Sequence, residues 1–225
     1  MKSICQVNYY VQLNMINQQK QYCYRITHIN NLSSLLQNGI VNKYHSNAGN
    51  NYIEIGNSEI IDVRSTTPVK ISNYGMIGDY VPFYFTPKSI MLYNIITGYW
   101  HPKVPKRNRN EILVIRCLIA ELVKFPQWFF TDGQGNDMIS NHYNNLVYLS
   151  QIDWQSIQKN DFSKSDGDYD RPRRYQAEFL VHRQIPLTSI ESLNVYNDQV
   201  EKDVTKILNQ NNINLAVNIK PKYFF

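Results

Sequence analysis

The run Gly78-Asp79-Tyr80-Val81-Pro82-Phe83-Tyr84-Phe85-Thr86-Pro87-Lys88-Ser89-Ile90-Met91-Leu92-Tyr93 decides how this chain is read. It opens on a Gly-Asp turn and enters residues 81–85, which alternate so little that both faces of a strand must be covered. That predicts an interior strand. Pro82 marks its start and Pro87 its end, because proline has no N–H to give a ladder. Residues 88–96 then read as a helix with Met91, Leu92 and Ile95 on one side. Tyrosines in so covered a strand need partners for their hydroxyls, either neighbouring polar groups or a ligand.

Upstream, Tyr24-Arg25-Ile26-Thr27-His28-Ile29 has period two, with Arg25, Thr27 and Ile29 on one face. Asn30 or Asn31 is placed to cap a helix over 32–37, and Asn38-Gly39 to end it. A polar strand face thus leads into a helix N-terminus, where an anion can be held. Taken alone, Arg25 and His28 read as surface or hydrogen-bonded core residues more readily than as ligand-binding ones. Residues 52–55 predict a short strand, and residues 7–11 alternate as an edge strand would. Arg64 follows Ile60 and Ile61 and is drawn inward, which demands a carboxylate or a ligand phosphate as partner.

Downstream, the loop 99–110 carries Lys103, Lys106, Arg107 and Arg109 with no acid, as a solvated loop or a contact for a nucleic-acid backbone. A buried strand is expected at 111–116, a short helix at 118–124, and a strand ending in a turn at 128–133. Residues 140–149 read as helical, and Asp153-Trp154 begins another helix. Residues 160–174 concentrate Asp161, Lys164, Asp166, Asp168, Asp170, Arg171, Arg173 and Arg174, and read as a long mobile loop. That loop feeds residues 175–181, where Glu178 stands alone in an apolar run. A carboxylate enters such a place only with a partner. Arg25 or Arg64 would serve, and a catalytic role is compatible with either. A strand at 189–196, a helix at 198–209 capped by Asp198, and a strand at 214–219 complete the chain.

The 225 residues, 43% of them hydrophobic, predict a single domain over 1–225, with 1–20 a poorly defined N-terminal segment. The net charge of +5 permits a polyanionic partner, and tyrosine beside lysine and arginine suits base stacking with phosphate contact. The same charge also serves plain solubility. Cys5, Cys23 and Cys117 show no Cys-x-x-Cys spacing, as expected of reduced thiols. The five histidines lack metal-ligand spacing, so no metal is expected. Met1-Lys2-Ser3-Ile4-Cys5-Gln6 has no apolar signal-peptide core, and Arg116 and Glu121 interrupt the longest apolar run. A soluble cytoplasmic protein is the expectation. Gly-rich phosphate loops and Gly-x-Ser-x-Gly are absent from the sequence.

From about Tyr24 to the C-terminus these residues resemble the DarT family of bacterial DNA ADP-ribosyltransferase toxins. The resemblance rests on Arg25-Ile26-Thr27-His28-Ile29-Asn30-Asn31-Leu32, on Asp62 to Arg64, on Asp79 to Tyr93, on Phe130-Thr131-Asp132, on Gln151-Ile152-Asp153-Trp154 and on Tyr175-Gln176-Ala177-Glu178. It implies an α+β, ADP-ribosyltransferase-like fold, with a split mixed β-sheet core and surrounding helices. It implies NAD+ as co-substrate, transfer of ADP-ribose to a base of single-stranded DNA, and a cognate antitoxin that hydrolyses the adduct.

Carried onto this sequence, Glu178 and Arg64 are the expected catalytic pair, and removing Glu178 is expected to abolish transfer while leaving the fold. Arg25, Thr27 and His28 are expected on the nicotinamide-ribose side, with Tyr84 walling the nicotinamide. Lys88, Arg171, Arg173 and Arg174, then Lys106 and Arg107, are the expected DNA contacts. Guanine is the expected base, with thymine the alternative. Arg25 stands where the thymine-modifying branch has histidine, and Ile55-Gly56-Asn57-Ser58-Glu59 is closer to the guanine branch. Ile90, where the family often has proline, and Tyr74-Gly75-Met76-Ile77-Gly78, in place of Gly-Gly-x-Leu-His, are departures that bear on loop geometry and base choice. Rival readings are ADP-ribose transfer to RNA or protein, and a non-catalytic single-strand-binding module, which dependence on NAD+ would separate from the enzymes.

Overall fold

The structure, a computed structural model, describes residues 21–47 and 51–225. The strand expected at 7–11, together with Cys5, lies outside the described residues. In chain order the main elements are β1 (Tyr22–His28), α1 (Leu32–Asn38), β2 (Ile40–Val41), α2 (Ser58–Thr66), β3 (Tyr80–Tyr84), α3 (Ile90–Thr97), β4 (Ile112–Leu118), α4 (Ile119–Leu122) and β5 (Trp128–Thr131). They continue with β6 (His142–Tyr143), α5 (Trp154–Lys159), α6 (Arg171–Tyr175), β7 (Glu178–His182), β8 (Gln184–Ile185), β9 (Ser192–Val195), α7 (Asp198–Gln210) and β10 (Ala216–Ile219). One eight-stranded sheet runs β10-β9-β4-β1-β3-β7-β5-β6, and β2 pairs with β8 apart from it. β10 and β9 are parallel, and the other pairs of the large sheet are antiparallel. The fold is α+β around a mixed sheet.

β3 lies inside that sheet, as its apolar sequence requires. Val81 and Phe83 are fully buried and pair with Val181 and Phe179 of β7. Pro82 is the third of its five residues rather than its start. This position shapes the sheet. β1 meets β3 only at Tyr24 opposite Tyr84, while it pairs with β4 along all seven residues. Continuing the β1–β3 register would set Ile26 against Pro82, which has no N–H to offer. The Pro82 carbonyl instead accepts a hydrogen bond from Arg25 Nη1 at 3.1 Å. The two strands part there, and the sheet is split.

Around the split, short elements are fixed by local chemistry. Gly39 ends α1 at φ +68°, and a Cβ on it would lie 2.2 Å from the Ile185 carbonyl oxygen, so only glycine brings β2 to β8. Asn57 caps α2 by accepting the Glu59 N–H at 2.9 Å. The far end of α2 rests on Gly78, where a Cβ would lie 2.9 Å from Ser65 Cα.

Five expectations need correction. Residues 52–55 form no strand, because Asn31 holds Ile53 with two side-chain hydrogen bonds of 2.9 and 2.8 Å in place of a ladder. Asn31 is thereby diverted from capping α1 with its side chain. Residues 140–149 are not one helix but β6 followed by a 3-10 turn over Leu146–Gln151. Asn197, not Asp198, caps α7, accepting from Val200 N–H at 3.1 Å. Residues 160–174 run into α6 and are tied by ion pairs rather than loose.

Cys23 and Cys117 face each other across β1 and β4 as free, buried thiols, and burial pushes both pKa values up. Among the described residues no helix is long and apolar enough to cross a membrane.

Candidate active site

The split between β1 and β3 opens into a cleft of about 890 Å³, within the roughly 300–1,000 Å³ typical of small-molecule sites. Its wall brings together Arg25 of β1, Arg64 of α2, Tyr84 of β3, Met91 of α3 and Glu178 of β7. Tyr52 stands at the rim, 38% exposed.

Glu178 is the first residue of β7, and its side chain is only 3% exposed. Arg64 Nη1 donates to its Oε1 at 3.0 Å and Nη2 to its Oε2 at 2.9 Å, a bidentate fork. Gly135 N–H donates to Oε1 at 3.3 Å, and the Thr131 hydroxyl accepts from Glu178 N–H at 3.1 Å. Burial alone would lower the Arg64 pKa, but the charge and hydrogen bonds of Glu178 outweigh it and hold it raised. Three donors fix the carboxylate at the cleft wall, and Gly135 leaves its face bare: a Cβ there would sit 3.5 Å from Oε2.

Tyr84 faces this pair. Burial and the Glu178 charge push its phenol well above the ordinary value. Its hydroxyl donates to the Met91 sulfur at 3.8 Å, a weak partner that a ligand oxygen would readily replace. Thr27 is buried, and its Oγ1 accepts from Asn31 Nδ2 at 3.1 Å and lies 3.2 Å from the Tyr52 hydroxyl. Through Tyr52 it supports the cleft rim. His28 is not part of the lining: its Nδ1 accepts from Asn30 N–H at 3.1 Å, and its Nε2 lies 3.4 Å from Glu111.

The basic residues of the charged segment are engaged with its acids. Arg171 pairs with Asp161 at 2.5 Å and Asp168 at 3.0 Å, and Arg173 with Asp170 at 2.7 Å and Asp132 at 3.4 Å. Arg174 pairs with Asp153 at 3.1 Å and Asp168 at 2.9 Å. Of these arginines only Arg173 lines the cleft. Lys88 sits 5.2 Å over the Phe225 ring, Lys106 packs beside Gly98, and Arg107 lies 3.8 Å from Glu111; none of the three lines the cleft.

Sequence reasoning missed Gly135 and Tyr52. Gly135 acts through its N–H and its missing side chain, and a reading of residue types has little hold on either. Among the described residues no group of histidine, cysteine and acid side chains could hold a metal ion.

A protein-family model described as "ssDNA thymidine ADP-ribosyltransferase, DarT" matches residues 24–225. A curated DNA ADP-ribosyl transferase of Escherichia coli O127:H6 is 34% identical over 214 residues, covering 93% of this chain and 96% of that one. A second, from Thermus sp. strain 2.9, is 34% identical over 190 residues, covering 83% and 87%. Among solved structures, Thermus sp. 2.9 DarT in complex with ADP-ribosylated ssDNA superposes with a TM-score of 0.82 at 29% identity, over 92% of this chain and 97% of that one. The same protein in complex with NAD+ gives 0.77 at 28% identity, over 92% and 98%.

Proposed function

We propose, because this chain belongs to the DarT family of NAD+-dependent DNA ADP-ribosyltransferases, that Glu178 and Arg64 carry its transfer of ADP-ribose from NAD+ to a base of single-stranded DNA. The observation that supports this most is the buried, bidentate Glu178–Arg64 pair at the wall of the cleft. Breaking the nicotinamide–ribose bond develops positive charge on the ribose, as in glycoside cleavage. A carboxylate already fixed beside that ribose stabilises the charge in the transition state without reorganising. Glu178 then accepts the proton lost by the attacking base nitrogen. Arg64 aims the carboxylate. Tyr84 walls the nicotinamide, and Arg25 lies on the ribose side. Thr27 acts through Tyr52, and His28 shapes the end of β1. A base already unstacked in a single strand avoids the cost of being flipped from a duplex.

Two acceptor bases stand, each on its own observation. Guanine is supported by Arg25, which lines the cleft and whose planar guanidinium matches the O6 and N7 acceptors of guanine. Thymine is supported by the description of the matched family. The DNA backbone is assigned to Arg173 at the cleft and to Arg171, Arg174 and Lys88 beyond it, phosphates replacing the aspartates. An adduct on a template base blocks pairing, so a cell holding this enzyme needs an activity that removes it. That chemistry supports a toxin working in the bacterial cytoplasm beside an antitoxin hydrolase.

The experiment is incubation with NAD+ and single-stranded oligonucleotides that each lack one base, followed by mass spectrometry. An adduct lost only without guanine, or only without thymine, assigns the base. An adduct on RNA or protein but on no DNA overturns the reading.

A further inference from the structure

One half-buried histidine outside the proposed catalytic pair is held in a single tautomer by its surroundings. His142 of β6 accepts the Lys70 N–H at Nδ1, at 3.0 Å, so Nδ1 carries no proton. Its Nε2 lies 3.0 Å from the Gly135 carbonyl oxygen, which can only accept, so Nε2 carries the proton. The ring stacks on Phe129 with centroids 5.1 Å apart. Gly135 in turn gives its N–H to Glu178 Oε1. A continuous line of hydrogen bonds therefore runs from the backbone of residue 70 through His142 and Gly135 to the carboxylate.

We propose that His142 is a positioning residue for the transfer: as a neutral imidazole bonded to both the residue 70 backbone and the Gly135 carbonyl it holds Gly135 so that the Gly135 N–H orients Glu178, and protonating it breaks the bond to residue 70 and lets the ring shift with Gly135. The inference rests on Glu178 being the catalytic carboxylate.

A second proton on the ring would sit on Nδ1, where it opposes the Lys70 N–H. The acceptor at Nδ1 is then gone, and the ring loses its bond to the residue 70 backbone, while Lys70 Nζ still holds the carbonyls of Met138 and Ser140 at 2.6 and 2.7 Å. The groups around His142 favour the neutral form on balance. Burial lowers its pKa from the ordinary 6.5, the Gly135 carbonyl raises it, Lys70 lowers it, and the Glu178 and Asp132 charges raise it, with a net shift downward. The proton is taken up only as pH falls below 6.5.

The test uses the full chain, NAD+ and a single-stranded oligonucleotide that the parent modifies, with kcat and KM for NAD+ measured across pH. His142→Ala is expected to lower kcat about tenfold to a hundredfold with KM nearly unchanged, since a misplaced catalytic group acts on the step rather than on binding. His142→Gln, which keeps a donor for the Gly135 carbonyl and cannot titrate, is expected to retain most of kcat and to shift the acid limb. An acid limb in His142→Gln identical to the parent's would overturn the proposal, as would full kcat in His142→Ala. Should His142→Ala not fold, nitrogen-15 NMR of the parent's histidines stands in its place. It must show one neutral ring protonated at Nε2, and a ring protonated at Nδ1 overturns the idea. Transfer that survives in Glu178→Ala would instead remove the premise, a separate failure.

Discussion

Glu178 and Arg64, 114 residues apart in sequence, close a fork of two hydrogen bonds at 3.0 and 2.9 Å where both side chains are almost out of water. The charge proposed to support the chemistry is also one the fold must neutralise. The proposed catalysis and the stability meet in the same two side chains.

Each single substitution should therefore do two things. Glu178→Ala abolishes transfer and also strands a buried guanidinium, costing about 3–5 kcal/mol. The cost runs against the simple expectation of an intact but inactive protein. Arg64→Ala strands the carboxylate at similar cost. The double change Arg64→Leu with Glu178→Leu leaves no charge unpaired and should recover most of the lost stability while staying inactive. Denaturant midpoints of the four proteins check this. Single and double effects that simply add would mean the pair is not coupled.

Gly78 should matter at a distance from any chemistry. A methyl group there meets Ser65 Cα at 2.9 Å and the Arg64 carbonyl oxygen at 3.2 Å, both backbone atoms that cannot swing aside. Gly78→Ala should push the end of α2, cost about 1–3 kcal/mol, and lower kcat about tenfold or more by moving Arg64. Thermal melts and kinetics measure both. A destabilised variant with the parent's kcat would show that α2 does not set the position of Arg64.

The aspartate–arginine cluster sets an acid limit. Hydrogen bonding to Arg173 lowers the Asp170 pKa, and hydrogen bonding to Arg174 lowers that of Asp168. Ser163, then Arg171, lowers Asp161. For Asp153 burial works upward, but bonds from Ser156 and Arg174 prevail and the net shift is down. Folded values below the ordinary 3.8 give a contribution that is fully present above 3.8 and is lost as pH falls through the lowered values. Residues 160–176 should hold between pH 5 and 8 and open below about pH 4, read by hydrogen exchange or pepsin cleavage. Opening near pH 6 would point to a histidine instead.

Much of the fold was legible where burial writes a pattern. The apolar runs of β3 and β4 announced buried strands, those of β5 and β7 announced strands, and the lone Glu178 within the last announced a partner. The inward pull on Arg64 was readable from Ile60 and Ile61, yet only the structure joins Glu178 to Arg64 rather than to Arg25, because pairing across 114 residues leaves no local trace. Short elements were read worst. Residues 52–55 have strand-like composition, but Asn31 takes up both backbone groups of Ile53, and side-chain competition of that kind leaves no periodicity. The charged run 160–174 looked like a mobile loop because spacing alone cannot say that its acids and arginines satisfy one another.

Pro82 leaves the molecule with something unusual for the middle of a sheet: an edge. Past Tyr24, β1 turns one row of backbone groups toward a neighbour that does not zip onto it. On an outer strand such a row invites another chain to add itself, and proteins blunt it with charge or proline. Here proline creates the opening, Arg25 covers the Pro82 carbonyl, and the edge is recessed at the cleft that Arg25 and Ile26 line. The same backbone that would be an aggregation hazard at the rim becomes, one strand inward, a row of ready-made donors and acceptors.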